Sequence, residues 1–274
     1  MLQTIRDTAE NIARQAGALL LDYAARGFDV DSKTTSINLV TEADKAAEAL
    51  ITAAIRAAFP DHAITGEEGA GYDGTGTAEA PFRWYVDPLD GTTNFAHRLP
   101  IYAVNLSVVD ADGEPIVGLT YDPSRDECFS AIRGQGATLN GRPIHVSTTP
   151  DLLGALLTSG FPYDRHTARD NNWAEWGAFL RRAQGVRCTG SAALDMAYVA
   201  CGRFDGYWER GPQPWDFLAG ILMIREAGGQ VTTYNGRTDG LYTGHEILAS
   251  NGLIHQALVE VLEEAQAALR ASGS

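Results

Sequence analysis

The most informative segment of the sequence is WYVDPLDGTTN at residues 84–94. Three β-forming residues lead into two carboxylates, Asp87 and Asp90, which a proline and Leu89 separate. The pattern predicts a strand whose end presents side chains in a cleft. Two carboxylates three residues apart, with the carbonyl of Leu89 between them, can supply several hard oxygen ligands to adjacent cations.

The polar turn after this strand is a candidate anion site. Gly91 and the amides of Thr92 and Thr93 can form a pocket for phosphate oxygens, especially where Thr93 and Asn94 begin a helix. Metal-binding carboxylates beside such a pocket are typical of phosphoryl chemistry. The structural alternative is a solvated turn with local side-chain capping, and this segment by itself does not decide between the two.

Three other acids are candidates, each with a structural alternative. Glu67 stands at the end of a short β-type run in ITGEEG (64–69), where an acid pair is ordinarily solvated. Asp216 begins a predicted helix, where a carboxylate favours the helix dipole. Asp44 lies three residues after Thr41 at another helix start, the spacing of a capping box, and a capped helix start can also carry a functional side chain.

Composition excludes several classes of function. The chain has 274 residues, of which 45% are hydrophobic, so a folded globular protein with a sizeable core is expected. The formal charge of −14 disfavours nucleic acid as the primary ligand and also disfavours an anionic membrane surface. Three cysteines without ligand spacing, and no apolar leader or spanning stretch, predict a reducing, cytoplasmic setting without a membrane partner.

The periodicity predicts a layered α and β structure. Helical spacing covers residues 2–26 and a second segment from about Thr41 to Pro60, and β-type runs fill residues 62–133. These runs predict an antiparallel sheet. From residue 155 onward strands alternate with helices, so we expect a single domain over 1–274 with an N-terminal half (1–145) and a C-terminal half (146–274).

Together the motifs resemble the inositol monophosphatase family. This magnesium-dependent, lithium-sensitive phosphatase superfamily also contains fructose-1,6-bisphosphatase. The resemblance spans nearly the whole chain and rests on LVTEAD (39–44), GEE (66–68), DPLDGTTN (87–94), GSAA (190–193), YWE (207–209), PWD (214–216) and REAGG (225–229). It implies an α+β fold, specifically a layered αβαβα sandwich, and hydrolysis of a small phosphate monoester.

The resemblance also implies a metal site. It predicts two to three Mg²⁺ ions per site, with Mn²⁺ as a possible substitute. The first ion would be held by Glu67, Asp87 and the carbonyl of Leu89. The second would be held by Asp87, Asp90 and Asp216, so that Asp87 bridges the two. Thr92, itself held by Asp44, would orient the attacking water and help to deprotonate it, and Glu67 is counted with them as catalytic.

Substrate binding is implied in the same way, with the metal site in the N-terminal half (1–145) and the substrate pocket in the C-terminal half (146–274). The residues carried over are Asp90, Gly91, Thr92, Gly190, Ser191, Ala192 and Glu209. Glu209 would accept hydrogen bonds from a polyol, which makes myo-inositol monophosphate the expected substrate. Phosphatases of this type also act on fructose 1,6-bisphosphate, histidinol phosphate or adenosine 3',5'-bisphosphate, and the motifs do not separate these small anionic esters. A homodimer is expected from the family.

Two features of the polar segment before Thr41 qualify the resemblance. The family often has Asp where Asn38 stands here, which weakens any role for this segment, and Lys33 is either a residue that reaches the site or a solvated lysine.

The rival hypothesis is a non-catalytic regulatory protein on the same fold, as RNA-associated relatives suggest. Retention of every acid expected to bind metal favours the enzyme.

Overall fold

The computed structural model describes residues 1–32, 39–74, 80–243 and 245–271, so Lys33 and Asn38 lie outside the described residues. Its helices are α1 (Leu2–Arg26), α2 (Glu42–Ala58), α3 (Thr92–Ala96), α4 (Trp173–Leu180), α5 (Ala192–Ala200), α6 (Pro214–Glu226) and α7 (His255–Ala271), with a 3-10 turn at Leu241–Thr243. Its strands are β1 (Val30–Ser32), β2 (Leu39–Thr41), β3 (Ala63–Gly66), β4 (Gly71–Tyr72), β5 (Arg83–Asp90), β6 (Ala103–Val109), β7 (Pro115–Asp122), β8 (Glu127–Ile132), β9 (Ala137–Leu139), β10 (Arg142–Ile144), β11 (Leu156–Ser159), β12 (Gly185–Arg187), β13 (Gly206–Arg210), β14 (Gln230–Thr232) and β15 (Glu246–Ser250).

The described residues form two main sheets. The first has the strand order β10-β9-β8-β7-β6-β5-β3-β4, and the second has the order β12-β11-β13-β15-β14. The first sheet is antiparallel as predicted, except that β3 runs parallel to β5. This exception places the carboxyl ends of β3 and β5 side by side, so that Glu67, which follows β3, lies next to Asp87 of β5.

Helices and sheets alternate in five layers. The outer face of the first sheet is covered by α1 and α2, which bury a core that includes Ile12, Ile51 and Trp84. Between the two sheets lie α5 and α6, packed in a second core around Phe217 and Tyr207. The outer face of the second sheet is covered by α4 and α7. The αβαβα sandwich implied by the resemblance is therefore confirmed.

Local elements agree with the sequence expectations and extend them. The first helix is confirmed over Leu2–Arg26, and the helix predicted near Thr41 begins at Glu42. The strand expected at 83–86 continues to Asp90, so it includes both acids of the central motif. In the polar segment before α2, β1 pairs with β2. The short strands β4, β9 and β10 were not predicted, because two or three residues are too few to show a period.

The two sheets divide along the chain. The last strand of the first sheet ends at Ile144 and the first strand of the second begins at Leu156. The single-domain organisation with halves at 1–145 and 146–274 stays a prediction. Among the described residues, no helix combines the length and the apolar character needed to cross a membrane.

Candidate active site

A bulge in β5 brings Asp87 and Asp90 to the same cleft. Asp87 pairs with Asn105 and Asp90 pairs with Ala103, so β5 has one more residue than β6 between these pairs. Side chains of a regular strand alternate between faces, so residues three apart would point to opposite sides. The extra residue of the bulge cancels this alternation. The amide of Leu89 then donates to Asp87 Oδ1 at 3.0 Å and orients that carboxylate.

Glu67 reaches the same place from β3. Because β3 lies parallel to β5, the amide of Glu67 donates to the carbonyl of Val86 at 3.0 Å, directly beside Asp87. The following turn is held by Glu48 of α2, whose carboxylate accepts from the amides of Glu68 (2.8 Å) and Ala70 (2.9 Å). Glu48 therefore positions the segment that carries Glu67.

Asp216 lies in the first turn of α6, which places its side chain at the cleft. Its Oδ2 accepts from the amide of Gln213 at 2.7 Å, so this carboxylate caps the helix as well as lying where it favours the helix dipole. The start of α6 is tied to the first sheet by Asn105, whose side-chain amide donates to the carbonyls of Trp215 (2.6 Å) and Asp216 (3.0 Å). Thr120 in turn donates to Asn105 Oδ1 at 2.7 Å. This buried chain of bonds sets the distance between α6 and β5.

The four acids share one cleft of about 740 Å³. Burial, followed by the charges of Glu67, Asp90 and Asp216, raises the pKa of Asp87 well above its usual value. Burial and the charges of Glu67 and Asp90 likewise raise the pKa of Asp216. For Asp90, burial raises the pKa to about 6, although hydrogen bonds from Ser191 and Ala193 oppose the shift. The acids are therefore close enough to repel one another, and each would be stabilised by added positive charge.

The donor set fits hard divalent cations. Carboxylates and a backbone carbonyl are the ligands that Mg²⁺ prefers, and the hydrogen bonds to Asp87, Asp90 and Asp216 do not use the full acceptor capacity of these carboxylates. The described residues contain no group of three or more His, Cys, Asp or Glu side chains already gathered at metal-binding spacing. Side-chain rotations set the spacing of the carboxylate oxygens, whereas the backbone places the four acids around one cleft. The shared cleft is the more informative observation, because backbone placement does not depend on those rotations.

Asp44 and Thr92 are brought together from opposite sides of the cleft floor. Thr92 Oγ1 lies 3.1 Å from Asp44 Oδ1 and 3.1 Å from the carbonyl of Leu89. Asp44 also forms the capping box, since its Oδ2 accepts from the amide (2.8 Å) and hydroxyl (2.6 Å) of Thr41. Burial raises the pKa of Asp44 to about 6. The two alternatives for Asp44 are therefore both realised in its hydrogen bonds.

The turn after β5 begins a helix, as the anion-pocket hypothesis required. Gly91 precedes α3 with a φ of 91°, in the left-handed region that favours glycine. A Cβ at this position would also lie 2.9 Å from the carbonyl of Ile101. Gly91, Thr92 and Thr93 all line the cleft, and the first amides of α3 are available at its wall.

The start of α5 closes the other side of the cleft. Ser191 caps α5, and its hydroxyl donates to Asp90 Oδ2, which also accepts from the amide of Ala193 at 3.0 Å. Gly190 and Ala192 line the cleft beside it. The predicted substrate residue Ser191 thus contacts Asp90 directly, and its contact with substrate stays a prediction.

Glu209 lies at the end of β13 and lines the cleft. Its Oε2 accepts from the hydroxyl of Tyr207 at 2.6 Å. Burial raises the pKa of Glu209 to about 7, against the opposing effect of that hydrogen bond. A Cβ at Gly160 would lie 2.3 Å from the Glu209 carboxylate, so a glycine there makes room for it.

Sequence reasoning missed several residues of this cleft. Glu48 and Asn105 are buried polar residues inside regular elements, and only their remote partners show what they do. Asp195 also lines the cleft and accepts from Thr189 Oγ1 at 2.7 Å. Residues 160–165 cover the cleft mouth, where Tyr163 is 51% exposed. An acid in the first turn of a helix is the one signal that could have found Asp195.

Comparisons with known proteins agree with one another. The model of the inositol monophosphatase family matches residues 1–267. An inositol-1-monophosphatase of Synechocystis sp. is 48% identical over 261 residues, which cover 95% of this chain and 89% of that protein. The Nus factor SuhB of Escherichia coli is 41% identical over 263 residues, 96% of this chain and 97% of SuhB. The structure of inositol monophosphatase from Anabaena (Nostoc) sp. is 45% identical, with a TM-score of 0.84 over 96% of each chain.

Proposed function

Because the chain belongs to the inositol monophosphatase family, we propose that it hydrolyses small phosphate monoesters, with myo-inositol monophosphate as the main substrate. The observation that carries the proposal is the convergence of Glu67, Asp87, Asp90 and Asp216 in one cleft beside the start of α3. Burial, the charge of Glu67 and the charges of the other acids raise the pKa of Asp87 and of Asp216 there. Such an arrangement costs stability unless cations complete it.

The family is Mg²⁺-dependent, and the cleft offers oxygen ligands of the right kind. We assign the metal ligands as Glu67, Asp87, the Leu89 carbonyl, Asp90 and Asp216, for two to three ions with Asp87 shared. When bound, such ions lower the pKa of a water and stabilise charge on the leaving oxygen. The bulge in β5 supports the assignment, because it is what lets Asp87 and Asp90 serve one site.

Thr92 and Asp44 orient the attacking water. The Thr92 hydroxyl has one proton, which it can give to Asp44 Oδ1 or to the Leu89 carbonyl. Its lone pairs are then available to accept a hydrogen bond from water in the cleft. Asp44, anchored by two bonds from Thr41, holds Thr92 at this place and stabilises the proton that the water gives up.

The two walls of the cleft bind the two parts of the substrate. Amides at Gly91 and the start of α3 hold phosphate oxygens on one wall. On the other wall, Glu209 accepts hydrogen bonds from the alcohol hydroxyls, with its carboxylate steadied by Tyr207. Gly190 and Ala192, at the start of α5, also line the cleft.

A substrate panel tests the proposal. Initial rates with Mg²⁺ are measured for myo-inositol 1-phosphate, fructose 1,6-bisphosphate, histidinol phosphate and adenosine 3',5'-bisphosphate. We expect the highest kcat/KM for the inositol ester and loss of activity with a chelator. A strong preference for histidinol phosphate or for the nucleotide would contradict the assigned substrate, and hydrolysis of none would contradict the reaction class.

We also propose a cytoplasmic homodimer that Li⁺ inhibits. The family resemblance supports these three properties, and the absence of cysteine ligand spacing fits a reducing compartment. Size-exclusion chromatography with light scattering measures the oligomeric state, and a monomeric mass would contradict the dimer. Inhibition by LiCl in the inositol phosphate assay measures the third property.

A second candidate is a regulatory role, supported by the 41% identity to the Nus factor SuhB. With a net charge of −14, a protein partner is a better expectation than direct contact with RNA. Pull-down from lysate with the wild type and with Asp87→Asn separates the two functions. Partners that remain bound to the inactive variant would support a role independent of hydrolysis.

A further inference from the structure

Arg210 joins three separate parts of the structure around one guanidinium. It follows Glu209 on β13 and is among the residues that line the cleft, whereas its guanidinium lies against Asp170, Glu246 and Tyr234. Nη1 lies 3.1 Å from Asp170 Oδ2 and Nη2 lies 3.0 Å from Glu246 Oε1 of β15. The guanidinium also stacks over the ring of Tyr234 at 5.3 Å. The side chain of Arg210 is only 21% exposed, so these three contacts are partly buried.

Asp170 belongs to a loop that covers the cleft. We call residues 160–172 the cleft loop; its first half lines the cleft through Phe161, Tyr163 and Arg165. The two ends of the loop are clamped together, because the side-chain amide of Asn172 donates to the carbonyl of Gly160 at 2.5 Å. A loop of this length whose ends meet is a compact surface unit that can move as a body.

The second half of the cleft loop is held by several contacts, one of which is the bond of 2.5 Å from the guanidinium of Arg169 to the carbonyl of Leu269. Asn172 is also bound by the indole of Trp208 at 2.6 Å, which ties the loop's end to β13. Within the loop, the side-chain amide of Asn171 donates to the carbonyl of Arg165 at 3.0 Å. The ion pair of Asp170 with Arg210 then connects this half of the loop to the strand that carries Glu209.

The charges around Arg210 support its role as an anchor. Asp170 and Glu246 place two carboxylates on one guanidinium, and Glu175 of α4 lies near enough for their charges to act on it. Glu175 is 1% exposed and its carboxylate oxygens have no hydrogen-bond partner among the described residues. Burial, with the charges of Asp170 and Glu246, raises the pKa of Glu175. Removing Arg210 would therefore leave several acids facing one another without a counter-charge.

We propose that Arg210 is a positioning residue for alcohol recognition, because its ion pair with Asp170 holds the cleft loop against the strand end that presents Glu209. The inference rests on the proposed function. Tyr207 steadies the Glu209 carboxylate on one wall of the alcohol pocket, and the ion pair of Arg210 helps to hold the cleft loop on the other. A shift of about 1 Å in either wall would weaken the hydrogen bonds to the alcohol.

The test compares Arg210→Met with wild type on two substrates that differ only in hydroxyl groups. myo-Inositol 1-phosphate carries hydroxyls for Glu209 to bind, and cyclohexyl phosphate has the same ring without them. We expect KM for the inositol ester to rise about tenfold with kcat changed less than about twofold, and KM for cyclohexyl phosphate to change less than about twofold. Arg210→Lys, which keeps the charge but not the forked geometry, should recover part of the loss.

Arg182→Met is the matched control. Arg182 pairs with Glu264 at 2.6 Å in the same outer layer but has no ion pair with the cleft loop. Asp170→Asn completes a double-mutant cycle, in which the pair with Arg210→Met should be no worse than Arg210→Met alone. An equal loss on both substrates, additive effects, or an Arg210→Met that behaves like Arg182→Met would overturn the proposal.

Limited trypsin digestion provides a readout that needs no activity. Arg165 and Arg169 are cleavage sites inside the cleft loop. We expect Arg210→Met to be cut there about fivefold faster than wild type or Arg182→Met, because the loop opens more often. Unchanged cleavage would contradict the claim that Arg210 holds the cleft loop, even if KM for the inositol ester rises. A wild type that hydrolyses no inositol phosphate would refute the proposed function, whereas an active wild type with no Arg210 effect refutes this inference alone.

Discussion

At the acid end of the cleft, the side chains come from buried strands and helix starts, with Asp87 1% exposed and Asp44 fully buried. At the alcohol end, Glu209 lies at a strand terminus and the cleft loop exposes half of Tyr163. Each of Asp87, Asp90 and Asp216 accepts a hydrogen bond from a backbone amide, and the Ser191 hydroxyl adds a side-chain bond to Asp90. The alcohol end is oriented by side chains, such as Tyr207 for Glu209 and Arg210 for the loop.

This difference separates chemistry from specificity. Backbone contacts on buried elements tolerate little movement, which suits the reacting atoms. Side-chain contacts at a strand end and in a loop can be exchanged without disturbing the sheet, which suits a pocket that distinguishes alcohols. Substitutions at the acid end should therefore affect kcat for every substrate, and substitutions at the alcohol end should affect KM for some of them.

Asp87→Asn tests the acid end most directly. The change removes a shared ligand charge while it preserves the shape of the side chain, so we expect kcat to fall at least about a thousandfold for every phosphate ester. The metal-free variant should unfold at a higher temperature than wild type, because burial and neighbouring acids make the Asp87 charge unfavourable in the fold. Steady-state kinetics and calorimetry in a chelator measure both. Turnover like that of wild type would remove the metal assignment.

Thr92→Ala is expected to have the next largest effect. Loss of the hydroxyl that bonds to Asp44 removes the group that orients the water, so kcat should fall about a hundredfold with little change in KM. Thr92→Ser keeps the hydroxyl and is the matched control, with expected activity within about fivefold of wild type. Equal losses in the two variants would show that packing of the methyl group, and not the hydroxyl, is what matters.

The stability of the metal-free protein should depend on pH in a direction set by these acids. Burial raises the pKa of Asp44 and of Asp90 to about 6, from 3.8 for the unperturbed group. The folded state therefore binds more protons than the unfolded chain between these values, and the free energy of unfolding falls as pH rises from about 4 to about 7. We expect a loss of up to about 6 kcal/mol over this range in a chelator, because each of the two groups is shifted by about two pKa units at about 1.4 kcal/mol per unit. Denaturant unfolding at each pH measures it, and Mg²⁺ at pH 7 should restore the loss. Stability that rises with pH in the chelator would contradict the pKa directions.

The acid end could be predicted from sequence to a greater extent than the alcohol end. Asp87, Asp90 and Gly91 stand in one continuous motif, and a strand followed by a turn is a local pattern. The bulge that makes the two acids face one cleft could not be predicted, because it depends on pairing with β6. Asn105 was missed for the same reason, since its partners at Trp215 and Asp216 are about a hundred residues away. Glu209 was found only through the family resemblance, because a strand-end acid has no signal of its own.

Glu209→Gln tests the alcohol end of the cleft, and its effect on catalysis should be the smallest of those predicted. Glutamine keeps an acceptor for Tyr207 but loses the negative charge, so the hydrogen bonds from the alcohol hydroxyls weaken. We expect KM for myo-inositol 1-phosphate to rise about tenfold, with kcat nearly unchanged and cyclohexyl phosphate unaffected.

The pH dependence of KM tests the role of Glu209 in a second way, which does not depend on how large the rise in KM is. Because burial raises the pKa of Glu209 to about 7, the wild-type carboxylate takes up a proton as pH falls through neutrality. KM for the inositol ester should then rise below pH 7 in wild type and stay level in Glu209→Gln. A variant that keeps the wild-type pH profile would show that another group controls alcohol binding. A fall in kcat for cyclohexyl phosphate would show that Glu209 acts on the chemistry, and the division between the two ends of the cleft would not hold.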